Sequence, residues 1–351
     1  MTMKSSDNQA RTAGQPEGHS PKGAVPTPPY PLVFKPVYKQ YLWGGRGLEK
    51  LGRRLPDGIV AESWEISAHP DGLGQVANGP LAGETLPGLM QQYGARLLGD
   101  ALPAAAYETF PLLVKLIDAN DRLSVQVHPD DAYAALHEHG GLGKTEMWVV
   151  LDAEPGARLI HGLAPGVTRE QFARAVRTGD VMPLLREVPA RRGDVFDIPA
   201  GLVHAVGAGL LIAEIQQSSN TTYRVFDYQR KDAAGNLRDL HVDKALDVIR
   251  FGPQPEPVTA LRPVRSSSGT ERTILVRNKY FVVERLEIPE REDAVADGSR
   301  FHLLMGIEGS AVLSWEQGEL PLRRGASVFI PAQLGPYRIT GSCTAIRAWV
   351  P

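Results

Sequence analysis

The chain has 351 residues, 42% of them hydrophobic, with 38 basic and 40 acidic side chains and a net charge of −2. That length supports one large or two moderate domains with real cores, and the balanced charge gives no global field favouring nucleic acid or an anionic membrane. A single cysteine, Cys343, excludes an internal disulfide and a thiolate metal cluster, and fits a reducing, cytoplasmic setting.

Residues 1–29 are rich in Gly, Pro, Ser and other polar residues and read as a disordered tail. They hold no apolar segment of the secretory kind, and no run approaches the ~18 apolar residues of a spanning helix, so a soluble chain is expected. From Leu32 the pattern tightens into a strand, followed at Trp43-Gly-Gly-Arg-Gly by a glycine-rich turn. No Gly-Lys-Ser/Thr follows, so the turn reads as a loop near a site mouth and not as a phosphate cradle. Glu62-Ser-Trp-Glu-Ile-Ser alternates as a strand does, and His69-Pro-Asp-Gly closes it as a turn. Residues 86–98 have helical spacing, with Pro87 near the start. Pro111-Leu-Leu-Val-Lys-Leu-Ile-Asp118 is an apolar run of strand length holding one lysine. A buried lysine needs an anion, so Lys115 reaches the surface, pairs with Asp118, or faces a ligand.

The densest chemistry lies in residues 122–150. Ser124, Gln126 and His128 alternate with Val125 and Val127, which in an extended strand sends three polar groups to one face. Such a row usually lines a cavity, because a packed core would have to satisfy each group separately. Pro129-Asp-Asp-Ala-Tyr-Ala-Ala-Leu-His predicts a short helix with acids in its first turn. Glu146, Trp148 and Val150 then share one face of a strand. Residues 168–188 have helical spacing, capped by Thr168 and broken at Thr178-Gly-Asp, and predict a helical insertion near 164–190. After Gly193-Asp-Val-Phe-Asp-Ile-Pro-Ala-Gly-Leu-Val-His204, one strand puts Ile212, Glu214 and Gln216 on a common face, and the next does so with Thr222, Arg224 and Phe226. A mid-strand arginine needs an anionic partner, either Glu214 or a ligand. Residues 253–265 read as a proline-rich linker, and residues 266–351 as an all-β module.

Gln126, His128, Glu146 and His204 together offer nitrogen and oxygen ligands on neighbouring strands, a mixed set suited to one Zn²⁺ or another first-row divalent ion. Gly193, five residues, Pro199, one residue, Gly201, two residues and His204 match the second cupin motif. Gln126-Val-His128 with Glu146 stands where the first cupin motif normally has His-x-His and a downstream Glu. That Gln, within Ser-Val-Gln-Val-His-Pro and ahead of Lys144-Thr-Glu-Met-Trp148, resembles the type I mannose-6-phosphate isomerases. Glu62-Ser-Trp-Glu-Ile-Ser-Ala-His-Pro-Asp71, Phe110-Pro-Leu-Leu-Val-Lys115 and Gln217-Ser-Ser-Asn-Thr-Thr-Tyr-Arg-Val-Phe-Asp227 extend the resemblance, closest in pattern to the shorter bacterial branch. It implies a mainly β fold of two cupin-like β-barrels (jelly rolls). The first, catalytic barrel would occupy residues 30–252 and carry the helical insertion. Gly325, five residues and Pro331 echo Gly193 and Pro199, and Pro336 stands where the first copy has His204. The second barrel, residues 266–351, is thus expected to be a degenerate copy without metal ligands.

The resemblance also implies a metal-dependent interconversion of mannose 6-phosphate and fructose 6-phosphate, moving a proton between C2 and C1 through an enediolate. A Lewis acid near O1 and O2 would stabilise the developing charge. Lys144 shares a face with Glu146, and a nearby cation should lower its pKa, which makes it a candidate acid/base. Arg224 is assigned with it to the catalytic group, and Lys115, Ser124 and Glu214 to substrate contact. Longer family members have an aspartate four residues before the arginine; here that position is Asn220, so Glu214 and a water on the metal stay open as bases. The alternatives are a non-catalytic sugar-phosphate-binding cupin, an isomerase of other aldoses and an oxygen-using iron cupin. The four filled ligand positions argue against the first, and Gln126 fits the last poorly. The expected partner is a small sugar phosphate, and a monomer is favoured.

Overall fold

In the computed structural model the described residues are 29–231, 235–256, 263–266 and 268–351. All but the last residue of the tail expected over 1–29, and residues 257–262 of the proline-rich stretch, lie outside them. The described chain is mainly β, and its architecture follows from which face each strand buries.

Six strands form one antiparallel sheet in the order Val195–Ile198, Glu146–Ala153, Leu210–Gln217, Leu112–Ala119, Glu62–Ile66, Val37–Lys39. Five more form a second, in the order Tyr223–Phe226, Val125–Val127, His204–Ala205, Arg158–Leu163, Leu185–Pro189. From the first sheet Ile117, Trp148, Val150, Phe196 and Ile212 point inward, to meet Leu123, Leu159, Val188 and Val206 from the side of the second. The opposite parity of the first sheet, including Val114, Leu116, Met147 and Val149, packs on Phe301, Phe329 and Ile346 of the C-terminal module. Both faces of that sheet are therefore covered, which is why Leu112–Ala119 and Leu210–Gln217 are buried at every position and read as near-continuous apolar runs. The outer face of the second sheet, through Val125, Val127, Ile160 and Tyr223, lies against the helices Arg169–Thr178 and Val242–Val248.

The C-terminal module is a third antiparallel sheet, ordered Val264–Arg265, Glu271–Arg277, Val282–Ile288, Cys343–Trp349, His302–Trp315, Gly335–Thr340, Arg291–Ala296, with Gly318–Arg323 and Ser327–Ile330 also paired to the long fifth strand. Its own apolar core includes Leu286, Leu304, Leu313, Val328, Ile330 and Ile339.

The helix ends follow local chemistry. Asp130 caps Asp131–His137 by accepting from the Tyr133 N–H. Thr168 and Gln171 form a reciprocal capping box at the start of Arg169–Thr178, and Gly179, at φ 80°, ends it in the left-handed region. The helical reading of the insertion is corrected beyond this point: Leu185–Pro189 is an edge strand paired to Arg158–Leu163. Val181, Leu185 and Val188 fall at helical spacing by coincidence, while Pro183 and the open edge of the neighbouring strand favour sheet pairing. The helix expected over residues 86–98 is two, Leu86–Tyr93 and Ala95–Leu98, divided at Gly94. No helix among the described residues is long and apolar enough to cross a membrane.

Candidate active site

His128, Glu146 and His204 converge from both sheets. His204 pairs with Gln126 across the five-stranded sheet, and Glu146 opens a strand of the facing sheet. Their ligand atoms all lie within 4.8 Å of one another. Glu146 Oε2 is 3.5 Å from His128 Nε2, and Oε1 is 3.4 Å from His204 Nε2. Behind each ring a backbone carbonyl accepts a hydrogen bond from Nδ1, Thr221 O at 2.9 Å for His128 and Leu202 O at 2.9 Å for His204. Those bonds place the ring proton on Nδ1 and leave the Nε2 lone pairs facing inward. His128 Nε2 and Glu146 Oε1 are buried with no hydrogen-bond partner.

Electrostatics keep this donor set in its ligating state. Burial, then the neighbouring Lys144 charge, pushes the His128 imidazole down to about 3, and burial takes His204 down to about 4. Burial would raise the Glu146 carboxyl, but the adjacent Lys144 charge outweighs it and holds the group well below the usual carboxylate range. Two neutral imidazoles and an ionised carboxylate, with orphaned donor atoms aimed at a common point, fit a divalent cation. Gln126 adjoins them, its amide nitrogen 3.3 Å from His204 Nε2 and its Oε1 3.5 Å from Ser124 Oγ. Turning that amide end for end would bring its oxygen to the same point.

Beside the group, reached through Gln126 and Lys144, is a cavity of about 260 Å³ whose walls also include Lys115, Ser124, Glu214 and Arg224. All of the predicted substrate and catalytic residues thus share one space. Lys144 Nζ is 2.9 Å from Glu146 Oε2. Lys115 pairs with neither the solvent nor Asp118; its Nζ lies 3.3 Å from Glu214 Oε1 and 3.6 Å from Glu62 Oε2. Burial opposes its charge, but Glu62, Glu214 and Glu146 overcome that and raise its pKa. Glu214 is held on its other side by the Trp148 Nε1–H at 2.9 Å. Burial, then the charge of Glu146, raises its carboxyl pKa against the pull of Lys115. Arg224 does not pair with Glu214. Its Nε–H donates to Ser124 Oγ at 3.2 Å and an Nη1–H to Asp239 O at 3.0 Å, and it forms no ion pair among the described residues. Phe226 does not share its face as alternation predicts, because the register shifts between the two, and Phe226 packs with the cluster of Tyr223 and Val225.

Several wall residues are not among the predicted site residues: Tyr41, Trp43, Glu62, Trp148, Asn220, Thr222 and Arg238. Glu62 had the clearest available one, an acid opening an otherwise buried strand. Asn220 donates from Nδ2 to Asp71 Oδ2 at 2.9 Å.

Curled antiparallel sheets enclosing a buried His, Glu, His group beside a polar cavity define a metal-binding cupin. Residues 32–142 match the catalytic domain of phosphomannose isomerase type I, and residues 270–350 match the cupin domain of mannose-6-phosphate isomerase. The chain is 37% identical to mannose-6-phosphate isomerase ManA of Bacillus subtilis, over 90% of this chain and 98% of that one. It is also 37% identical to a mannose-6-phosphate isomerase of Streptococcus mutans, over 91% and 98%. A crystal structure of the Bacillus subtilis enzyme superposes with a TM-score of 0.84 at 34% identity, covering 91% of this chain and 99% of that one. The chain belongs to the type I mannose-6-phosphate isomerase family.

Proposed function

We propose that this protein interconverts D-mannose 6-phosphate and D-fructose 6-phosphate. The observation that carries the reading is that the converging His128, Glu146 and His204 ligand atoms, those of His128 and Glu146 without hydrogen-bond partners, adjoin through Gln126 and Lys144 the cavity that Lys144 and Arg224 line. An ion held there, with the Gln126 amide reversed as fourth ligand, would polarise the sugar oxygens at C1 and C2; zinc suits the donor set best. Lys144 carries the proton between C2 and C1, a service worth ~10²–10⁴ in rate. Glu214, fixed between Trp148 and Lys115, orients a sugar hydroxyl. Lys115 contacts the sugar as the counter-ion of Glu214 and Glu62, since two carboxylates already neutralise it. Arg224 keeps its charge for the phosphate, steadied by Ser124. Asn220 is an amide and accepts no proton, so the base lies elsewhere. In this reading residues 30–252 are catalytic, 253–265 link, and 266–351 support the site without binding metal; the protein is a cytoplasmic monomer.

A coupled assay following ketose formation from mannose 6-phosphate tests the reading. Turnover by the purified chain is expected. Tight binding of mannose 6-phosphate with no ketose formed would replace it with a non-catalytic sugar-phosphate binder.

A further inference from the structure

The loop that delivers Lys144 to the cavity and Glu146 to the ligand group is not held by its own sheet alone. Its backbone is pinned to the start of the helix Asp131–His137. Lys144 N–H donates to Pro129 O at 3.0 Å, and Gly143 N–H to Asp131 Oδ1 at 3.0 Å. A Cβ at Gly143 would fall 2.5 Å from the Asp130 carbonyl carbon and the Asp131 nitrogen, so the close approach needs glycine. On the far side, Thr145 N–H donates to Gln217 Oε1 at 2.9 Å, and Gln217 Nε2 donates to the same Asp131 Oδ1 at 2.9 Å. One carboxylate oxygen thus closes a ring around residues 143–145, immediately before Glu146.

The other oxygen of Asp131 is taken by the C-terminal module. Tyr280 OH donates to Asp131 Oδ2 at 2.6 Å, with Lys279 Nζ 3.6 Å away. Tyr280 sits in the turn between the strands Glu271–Arg277 and Val282–Ile288, and Asn278 Oδ1 holds that turn by accepting from the N–H groups of Tyr280 and Phe281 at 2.9 Å each. The tyrosine is therefore presented by a fixed turn. Asp131 carries its own charge into a half-buried position, where a bond from a hydroxyl both satisfies it and fixes its rotamer.

We propose that Tyr280 is a positioning residue for catalysis: through Asp131 it sets the 143–145 loop, and with it the placing of Lys144 in the cavity and of Glu146 in the ligand group. This gives the C-terminal module a part in turnover although it lies outside the cavity wall. The inference rests on the isomerase reading above, and the test separates the two. Tyr280→Phe keeps the ring and its packing and removes only the hydroxyl. Relative to the unchanged protein, kcat for mannose 6-phosphate isomerisation is expected to fall about tenfold, the scale of sub-ångström misplacement of a catalytic group. KM should stay within about twofold and bound metal per chain unchanged. Asp131→Asn should lower kcat similarly, and the double variant should fall no further than Asp131→Asn alone, because both changes cut one path. Three results would overturn the proposal: a Tyr280→Phe kcat equal to that of the unchanged protein, additive losses in the double variant, or a kcat loss that tracks loss of metal or of folded protein. An unchanged protein that forms no ketose at all would instead overturn the isomerase reading.

Discussion

His128 and His204 are each fixed from behind by one carbonyl, so the geometry of the donor set is built before any ion arrives. His128→Ala or His204→Ala should lose bound metal and turnover together, by more than about 100-fold in each case on the scale of lost metal ligation; elemental analysis and kcat on the same sample check it. Arg224→Ala should act on binding, raising KM for mannose 6-phosphate by about 10–100-fold, the worth of one charge-assisted contact. Asp197 offers a test of pH dependence. Burial raises its carboxyl pKa to about 6, and Oδ1 has no hydrogen-bond partner. A carboxyl with a folded pKa above its unfolded value of 3.8 binds the extra proton in the folded state. Its contribution is therefore favourable below that value and is lost as pH rises through about 6. Asp197→Asn should stabilise the fold at neutral pH by about 1–2 kcal/mol, allowing for partial solvation, with the gain vanishing toward pH 4; denaturant titrations at both pH values measure it.

At the level of the elements, strand alternation was the most legible feature. The Ser124, Gln126, His128 row and the Glu146, Trp148, Val150 face were readable because a period of two survives wherever one face is buried and the other lines a cavity. Periodicity misled where two elements shared it: Val181, Leu185 and Val188 suit a helix, and Pro183 with the edge beside Arg158–Leu163 makes residues 185–189 a strand. A bulge likewise defeated the prediction for Phe226. Thr168→Ala, which removes the capping box of Arg169–Thr178, should cost about 1 kcal/mol of stability by denaturant titration and leave turnover unchanged. That helix lies on the outer face of the five-stranded sheet, away from the cavity.

The whole molecule brings together what no local pattern can. The metal ligands were legible because the motif residues themselves carry the chemistry. Glu62 and Arg238 were not, because each reaches the cavity wall only when distant segments close on it. The partners of Lys115 show the same limit: the sequence neighbour Asp118 accepts instead from the Gly47 N–H, while Glu62 and Glu214 come from the flanking strands. Asn220 was recognised as a missing carboxylate, and its bond to Asp71 could be found only in the folded chain. The proposed chemistry needs one ion between His128, Glu146 and His204. The most direct measurement is turnover of mannose 6-phosphate by metal-stripped protein as a divalent ion is added back in steps. Activity should be absent at the start, rise in proportion to bound ion and level off at one ion per chain. Full turnover by the stripped protein would contradict the account.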